Sequence, residues 1–533
     1  MQSMREPLIP TRRHFIPART EDFGPPTTMM KYFSFPTASR RHIWLVASVL
    51  LCLAGCGAEK KTSDGGTELP LAGVKLRLAV VDDPALATAI TRASGEWNTQ
   101  TGSQLEVVQA TEKDLLSADV LPADAVICSP HLGGVLAEKK LLAPVPSSIV
   151  NSSEWRSILP LLKLREAAWG PDLVAVPFGS PVLTVYYRAD LLEKLGRKPP
   201  QDWAEYQQLA MLLSQQGPKT AANSTSGKAP WCGAIEPLAP GWAGITLLAR
   251  AAAYARHRDS YSTLFDIGTM EPLIAGPPFV RALEELVAAA KLGPANALQF
   301  DPTAARAAFW RGECGMTLSW PTAAATNVGE KTAAGPLPAK PAAELKVDFA
   351  ELPGSRQSYN REPQDHDGEA NPWEDRAEDE SPRVTLLSIV GRQGVVHAKS
   401  ERPEAAFQLL LWLSGSRMSS EISPASPATT LFREANLTSP GLWVEKPVPP
   451  MAAVHYADAT EAALKRGQWL GALRMPGRAD YLAAMDEAVA AAVGGQKTPA
   501  AALKEAAAKW QKITERLGVE PQRAAYRHSL GLE

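Results

Sequence analysis

Apolar and polar positions along the chain fall into short alternating runs separated by stretches of helical period. Val74-Lys75-Leu76-Arg77-Leu78-Ala79-Val80-Val81 alternates and then turns wholly apolar, the pattern of a strand entering a core. Pro84 to Thr99 reads as a helix, Leu105 to Gln109 as a second strand and Asp124 to Ser129 as a third, with a helix from Gly133 to Lys139 behind it. Strands alternating with helices predict a parallel sheet covered on both faces. Leu173 to Gly179 and Leu183 to Arg188 are two further strands. The Gly179-Ser180-Pro181 turn between them suits a crossing from one body to another.

Farther on, Asp190 to Leu195 is helical, Pro199-Pro200 breaks the pattern, and Asp202 caps a helix carrying Trp203, Tyr206 and Leu209. Gln216 to Lys228 is a polar loop, and Ala229 to Ile235 a strand entering the Trp242 helix. Pro278 to Leu292 and Thr303 to Arg311 are amphipathic helices, and Gly315 to Ser319 is a strand ending at Trp320. Residues 355–382 are crowded with Asp, Glu, Arg and Pro, which predicts a mobile, solvent-facing acidic insertion. Leu386 to Val390 restores a strand and Arg402 to Leu413 a helix. Helices over Arg478–Val493 and Pro499–Arg516 close the chain ahead of a tail at 517–533.

The N-terminal region has a different grammar. Arg40-Arg41-His42 is followed by an apolar run from Ile43 to Leu53 and by Leu53-Ala54-Gly55-Cys56, the order of a secretory signal. The apolar run is too short to span a hydrocarbon core of about 30 Å as a lasting helix. The LAGC ending resembles the lipobox of bacterial lipoproteins. That likeness implies removal of residues 1–55, acylation of Cys56 and an extracytoplasmic, lipid-anchored protein, with an uncleaved anchor as the alternative. Residues 57–70 are polar and Gly-rich, so 56–73 reads as a lipidated Cys and flexible tether.

A net charge of −2 with 21% charged residues gives no basic field for nucleic acid. After Cys56 only Cys128, Cys232 and Cys314 remain, widely spaced and without a CxxC pair, so no zinc site is expected. One disulfide or three buried thiols are the options. No cofactor and no metal are called for.

Val176-Pro177-Phe178-Gly179, the run Val185-Tyr186-Tyr187-Arg188-Ala189-Asp190-Leu191-Leu192-Glu193-Lys194-Leu195-Gly196, Pro199-Pro200 and Asp202-Trp203 resemble family 1 extracellular solute-binding proteins, the receptors of ABC importers. Phe309 to Trp320, Pro403 to Leu413 and Lys497 to Trp510 resemble later parts of the same family, in order. Arg188 stands where the family often has Asn. The resemblance implies an α/β, periplasmic-binding-protein-like fold: two α/β lobes with a ligand cleft and hinge. Residues 74–180 would be mainly the N-lobe, 181–320 mainly the C-lobe, and 321–516 crossing segments and closing helices. It also implies a monomer that delivers a small-molecule solute, a sugar or oligosaccharide, to ABC permease subunits.

Open sheets present ligand-binding groups from loops after strand ends. Here those loops carry Asp82, Asp83, Ser129, Gly179, Ser180, Glu236, Ser319 and Trp320, with Trp242 following. Carboxylates accept from sugar hydroxyls, and flat aromatic faces cover CH faces. Each residue also has a plainer use. Asp83 before Pro84 caps a helix, Tyr186 suits a core, and Trp203, Trp310, Trp412 and Trp510 lie on apolar helical faces. His131 is one isolated imidazole, suited to core or surface. No HExxH, GxSxG or complete phosphate loop nominates a catalytic residue. The competing readings are a lipid-anchored carbohydrate-active hydrolase and a solute sensor not coupled to transport.

Overall fold

The computed structural model describes residues 69–217, 231–326, 345–362 and 371–533. The signal region, Cys56 and the tether up to residue 68 lie outside the described residues, as do 218–230 of the polar loop and 363–370 of the acidic stretch.

In chain order the strands are β1 (Lys75–Val81), β2 (Gln104–Ala110), β3 (Ala125–Cys128), β4 (Ala168–Trp169), β5 (Asp172–Leu173), β6 (Val176–Gly179), β7 (Thr184–Arg188) and β8 (Cys232–Ile235). They continue as β9 (Cys314–Ser319), β10 (Val347–Glu351), β11 (Gln357–Tyr359), β12 (Trp373–Asp375), β13 (Thr385–Leu387), β14 (Arg392–Val396) and β15 (Trp469–Gly471). Two sheets organise the molecule, one ordered β2-β1-β3-β14-β6 and the other β10-β7-β9-β8.

The first sheet begins as expected, with β1 parallel to β2 and β3. Asp83 starts the Pro84–Thr101 helix by accepting the Leu86 N–H at 3.0 Å, and Gly102 ends it in the left-handed region. The expected all-parallel sheet is corrected at β14, which runs antiparallel to both β3 and β6. This strand returns from the other lobe, so no helical crossover fixes its direction. The second sheet is also mixed: β7 runs antiparallel to β10 and β9, while β8 is parallel to β9.

Alternation along β7 sends side chains to both faces of the second sheet. Val185 and Tyr187 enter one core with Tyr206, Leu248 and Met316. Tyr186 enters the other, edge-on to Phe349 at 4.6 Å and Phe309 at 5.7 Å. The core that receives Tyr186 extends under the first sheet, where Leu78, Val80, Ile127, Phe178 and Leu409 pack, and the core that receives Val185 is the second. The chain leaves the first sheet between β6 and β7, over Ser180–Leu183, and re-enters it at β14, after Ser388–Gly391.

Several expectations change here. Residues 355–382 include an ordered antiparallel pair, β11 with β12, rather than only a solvated insertion. Trp373 packs edge-on to Tyr254 and Tyr359, and Arg376 donates to the carbonyls of Ala253 (2.8 Å) and Arg256 (2.9 Å) at the end of the Ala243–Ala255 helix. Part of the charge run therefore satisfies a helix C-terminus, a use that composition does not reveal. The expected strand at Leu386–Val390 stops at Leu387, because Ser388 takes φ 61°. The tail forms a helix, Val519–Ser529, whose Tyr526 packs on Phe265 in the second core. Cys128, Cys232 and Cys314 are buried free thiols. Among the described residues no helix is long and apolar enough to cross a membrane.

Candidate functional site

The strand ends of the first sheet converge on a group of polar side chains. Asp82, exposed and at φ 47°, accepts the Glu112 N–H at 2.8 Å, which fixes the start of the Glu112–Ser117 helix. Asp83 turns inward. Its second oxygen accepts from Arg392 Nε at 2.9 Å and from the Ser426 hydroxyl. After β3, the Ser129 hydroxyl lies 2.7 Å from His131 Nδ1, and His131 Nε2 lies 3.2 Å from Glu112. The hydrogen bond from His131 is the main cause holding the Glu112 carboxyl below its ordinary range, with Arg478 and Arg392 adding to it. Burial pushes the imidazole down. A neutral ring with its proton on Nε2 then donates to Glu112 and accepts from Ser129.

The second lobe contributes aromatic surface and a cation. Half-buried Trp242 precedes the Ala243–Ala255 helix, whose N-terminus is capped from a distance. Asp486 accepts from Gly241 N at 2.6 Å and Gly244 N at 2.7 Å, so the turn holding Trp242 is fixed by another helix. Burial pushes the Asp486 carboxyl up, against those two N–H groups. Trp242 and Trp320 lie with ring centroids 5.5 Å apart, tilted 39°. Trp320 is itself buried, and its Nε1 donates to Pro427 O at 3.0 Å. Arg478 opens the Arg478–Val493 helix; its Nε is buried without a hydrogen-bond partner among the described residues. Burial lowers this guanidinium to about 10, opposed by the charges of Glu112 and Asp486.

One chain of contacts joins the two sheets. Asp486 leads to the Trp242 turn, Trp242 packs against Trp320, and Trp320 reaches Pro427, next to the Ser426 that bonds Asp83. Asp82 and Glu112 meet separately, at the end of the first sheet.

Of the residues expected here, Asp82 is exposed and Ser129 and Trp242 are half-buried, whereas Asp83 and Trp320 are buried. Glu236 is interior. That carboxylate sits in the second core, 2.6 Å from Arg250 Nη2, and Arg250 lies 4.0 Å over the Trp203 ring. Burial pushes Glu236 up, and Arg250 opposes this. Ser319 donates to Pro302 O at 2.8 Å, and Ser180 donates to buried Glu166. Gly179 takes φ 110° against the backbone of Thr430. These four serve the interior because their strands are covered on both faces, so a strand end does not guarantee a solvent-facing side chain. Sequence reading did not nominate Glu112, Arg392, Arg478 or Asp486, and it set His131 aside. The one local signal was the capping box of Thr111 and Asp114, which places Glu112 at a helix start.

Residues 96–418 match the profile of the bacterial extracellular solute-binding proteins. The chain belongs to this family. No curated protein is similar enough in sequence to match it. Solved structures share its architecture. The ABC transporter solute-binding protein of Agrobacterium radiobacter K84, in complex with ribitol, is 18% identical with a TM-score of 0.57, over 83% of this chain and 99% of that one. Maltose-bound MalE3 of T. maritima is 19% identical, with a TM-score of 0.56 over 82% and 99%. The sugar-binding protein MalE of Xanthomonas citri is 16% identical, with a TM-score of 0.58 over 83% and 98%. At such identities the shared property is the two-lobed fold. Family membership places this receptor outside the cytoplasm and among binding proteins.

Proposed function

We propose that this receptor binds a sugar or polyol between its two lobes and delivers it to the permease of an ABC importer. The observation that carries this reading is the family match over residues 96–418, and the chain has groups of the right chemistry: Asp82, Glu112, Ser129 and His131 after strands of the first sheet and the Trp242–Trp320 pair beside the second. A polyhydroxyl solute needs that combination: fixed acceptors and donors for its hydroxyls and an aromatic face for its CH groups. Contacts completed by both lobes together favour the closed arrangement, because a ligand shifts an equilibrium only by its differential affinity. The ribitol- and maltose-bound relatives of the same fold support the solute class.

The same reading makes Cys56 the acylated N-terminus of a monomer held at the outer face of a bacterial membrane, with residues 57–73 as its tether. Tryptophan fluorescence during titration with ribitol, D-mannitol and maltose tests the binding. A saturable change with at least one of them is expected, and a flat response to all three removes the proposal. Replacing Cys56 by Ser tests the anchor, and the variant should move from the membrane to the soluble fraction.

A further inference from the structure

Cys232 and Cys314 are the first residues of β8 and β9, and the parallel ladder sets them directly opposite one another. Cys232 N donates to Glu313 O at 3.0 Å, and the Cys232 thiol lies 3.6 Å from the same carbonyl. The Trp203–Ser214 helix pins both strand starts. Trp231 Nε1 donates to Leu213 O at 2.8 Å, a Cβ on Gly233 would run into Ala210 O, and one on Gly315 would meet Leu213 Cβ at 2.9 Å. Directly paired residues of adjacent strands point to one face with Cα atoms about 4.8 Å apart, inside the range of about 4.4–6.8 Å that a disulfide spans. Both side chains are buried, and the Cys314 thiol is pushed well up by burial and by the neighbouring Cys232 thiol. Cys128 is different: it lies in the first sheet, where β14 sets Gln393 opposite it. Family membership places the chain outside the cytoplasm, where disulfides form and persist.

We propose that Cys232 and Cys314 are a site of oxidative crosslinking, at which the exported protein closes a disulfide that ties the edge strand β8 to β9. The oxidant is the disulfide of an extracytoplasmic thiol–disulfide oxidoreductase. Cys232 gives its proton to solvent, and its thiolate attacks one sulfur of that disulfide and expels the other as a thiolate. Cys314, deprotonated in the same way, attacks Cys232 Sγ and expels the oxidant's remaining sulfur. Two thiols thus become one disulfide, and the oxidant's disulfide is reduced to a dithiol that takes up two protons. Burial disfavours the attacking thiolate, so the exchange belongs to folding, before β8 and β9 are covered. The bond closes the chain from Gly233 to Glu313, which carries the Trp242 turn and the Ala243–Ala255, Pro277–Ala290 and Pro302–Trp310 helices. Closing so long a loop removes much entropy from the unfolded chain.

The test takes the full chain from the envelope of cells exporting it, denatures it in iodoacetamide with and without prior reduction, and maps its peptides by mass spectrometry. The Cys128 peptide should be alkylated in both samples. The Cys232 and Cys314 peptides should be alkylated only after reduction, and otherwise run as one linked species two hydrogens lighter than their sum. Full alkylation of both without reduction overturns the crosslink, as does linkage of either to Cys128. In Cys314→Ala, Cys232 should be alkylated without reduction. Thermal melting of the wild type, which needs no variant, should fall by several degrees when reductant is present, and a melting temperature unmoved by reductant overturns the proposal. No solute enters these measurements, so their outcome is separate from that of the receptor reading.

Discussion

Glu166 and Ser388 meet in the interior, the serine hydroxyl donating to Oε2 at 2.9 Å, while Ser180 donates to the other carboxylate oxygen. Ser180 and Ser388 begin two of the segments that join the lobes, so one carboxylate holds both. Arg474, also buried, lies within its electrostatic reach.

Burial pushes Glu166 above its ordinary value of 4.5, opposed by Ser180, Arg474 and Ser388. The folded state therefore binds this proton more tightly than the unfolded chain. The stability it contributes is full below 4.5 and is lost as pH rises through the raised folded value. Melting temperatures of wild type and Glu166→Gln, compared between about pH 4 and pH 8, should lie closest at the acid end, with wild type falling relative to the variant as pH rises. Parallel curves at all pH values would refute the linkage.

Gly391 takes φ 152°, and a Cβ there would run into the Ser180 hydroxyl that Glu166 binds. Gly391→Ala should cost about 1–3 kcal/mol from backbone strain alone and lower the melting temperature by several degrees. Gly95, inside the Pro84–Thr101 helix with no atom near its missing Cβ, is the contrast. Gly95→Ala should stabilise by about 0.5–1 kcal/mol. Both are read from thermal or urea unfolding.

Glu236 offers a direct separation of interior from site. Glu236→Ala removes the 2.6 Å partner of buried Arg250 and should destabilise by about 3–5 kcal/mol, the usual cost of breaking a buried pair. Its affinity for the solute, measured well below the melting transition, should match wild type. Lost binding with undiminished stability would return Glu236 to the ligand-contacting set.

Trp242 is the exposed half of the tryptophan pair. Trp242→Ala should weaken solute binding roughly tenfold, since an aromatic face contributes about 0.5–1.5 kcal/mol beyond its area. The remaining fluorescence response should shrink, because Trp320 is already buried. A variant with full affinity would place the solute elsewhere.

Much of the fold was legible because its elements have strong periods. β1, the Asp83-capped helix, β3, β7 and the Arg478–Val493 helix follow from alternation, capping residues and apolar spacing. β14 was not, since Arg392-Gln393-Gly394 carries no apolar signal even though Gln393 is buried at the centre of a sheet. In the site, Asp82, Ser129 and Trp242 were readable as loop residues near strand ends. Arg392 reaches Asp83 from 309 positions away, a pairing no local pattern encodes.

The sequence alone determined the order and type of most elements and the presence of carboxylates and aromatics at strand ends. Those follow from local forces: backbone preference, capping and the period of apolar residues. Only the tertiary structure decided that Glu112 meets His131 and Arg392 meets Asp83 while Glu236 and Ser319 turn to the interior. Periodicity sets which face of an element a residue occupies, but what stands opposite that face depends on how distant segments pack.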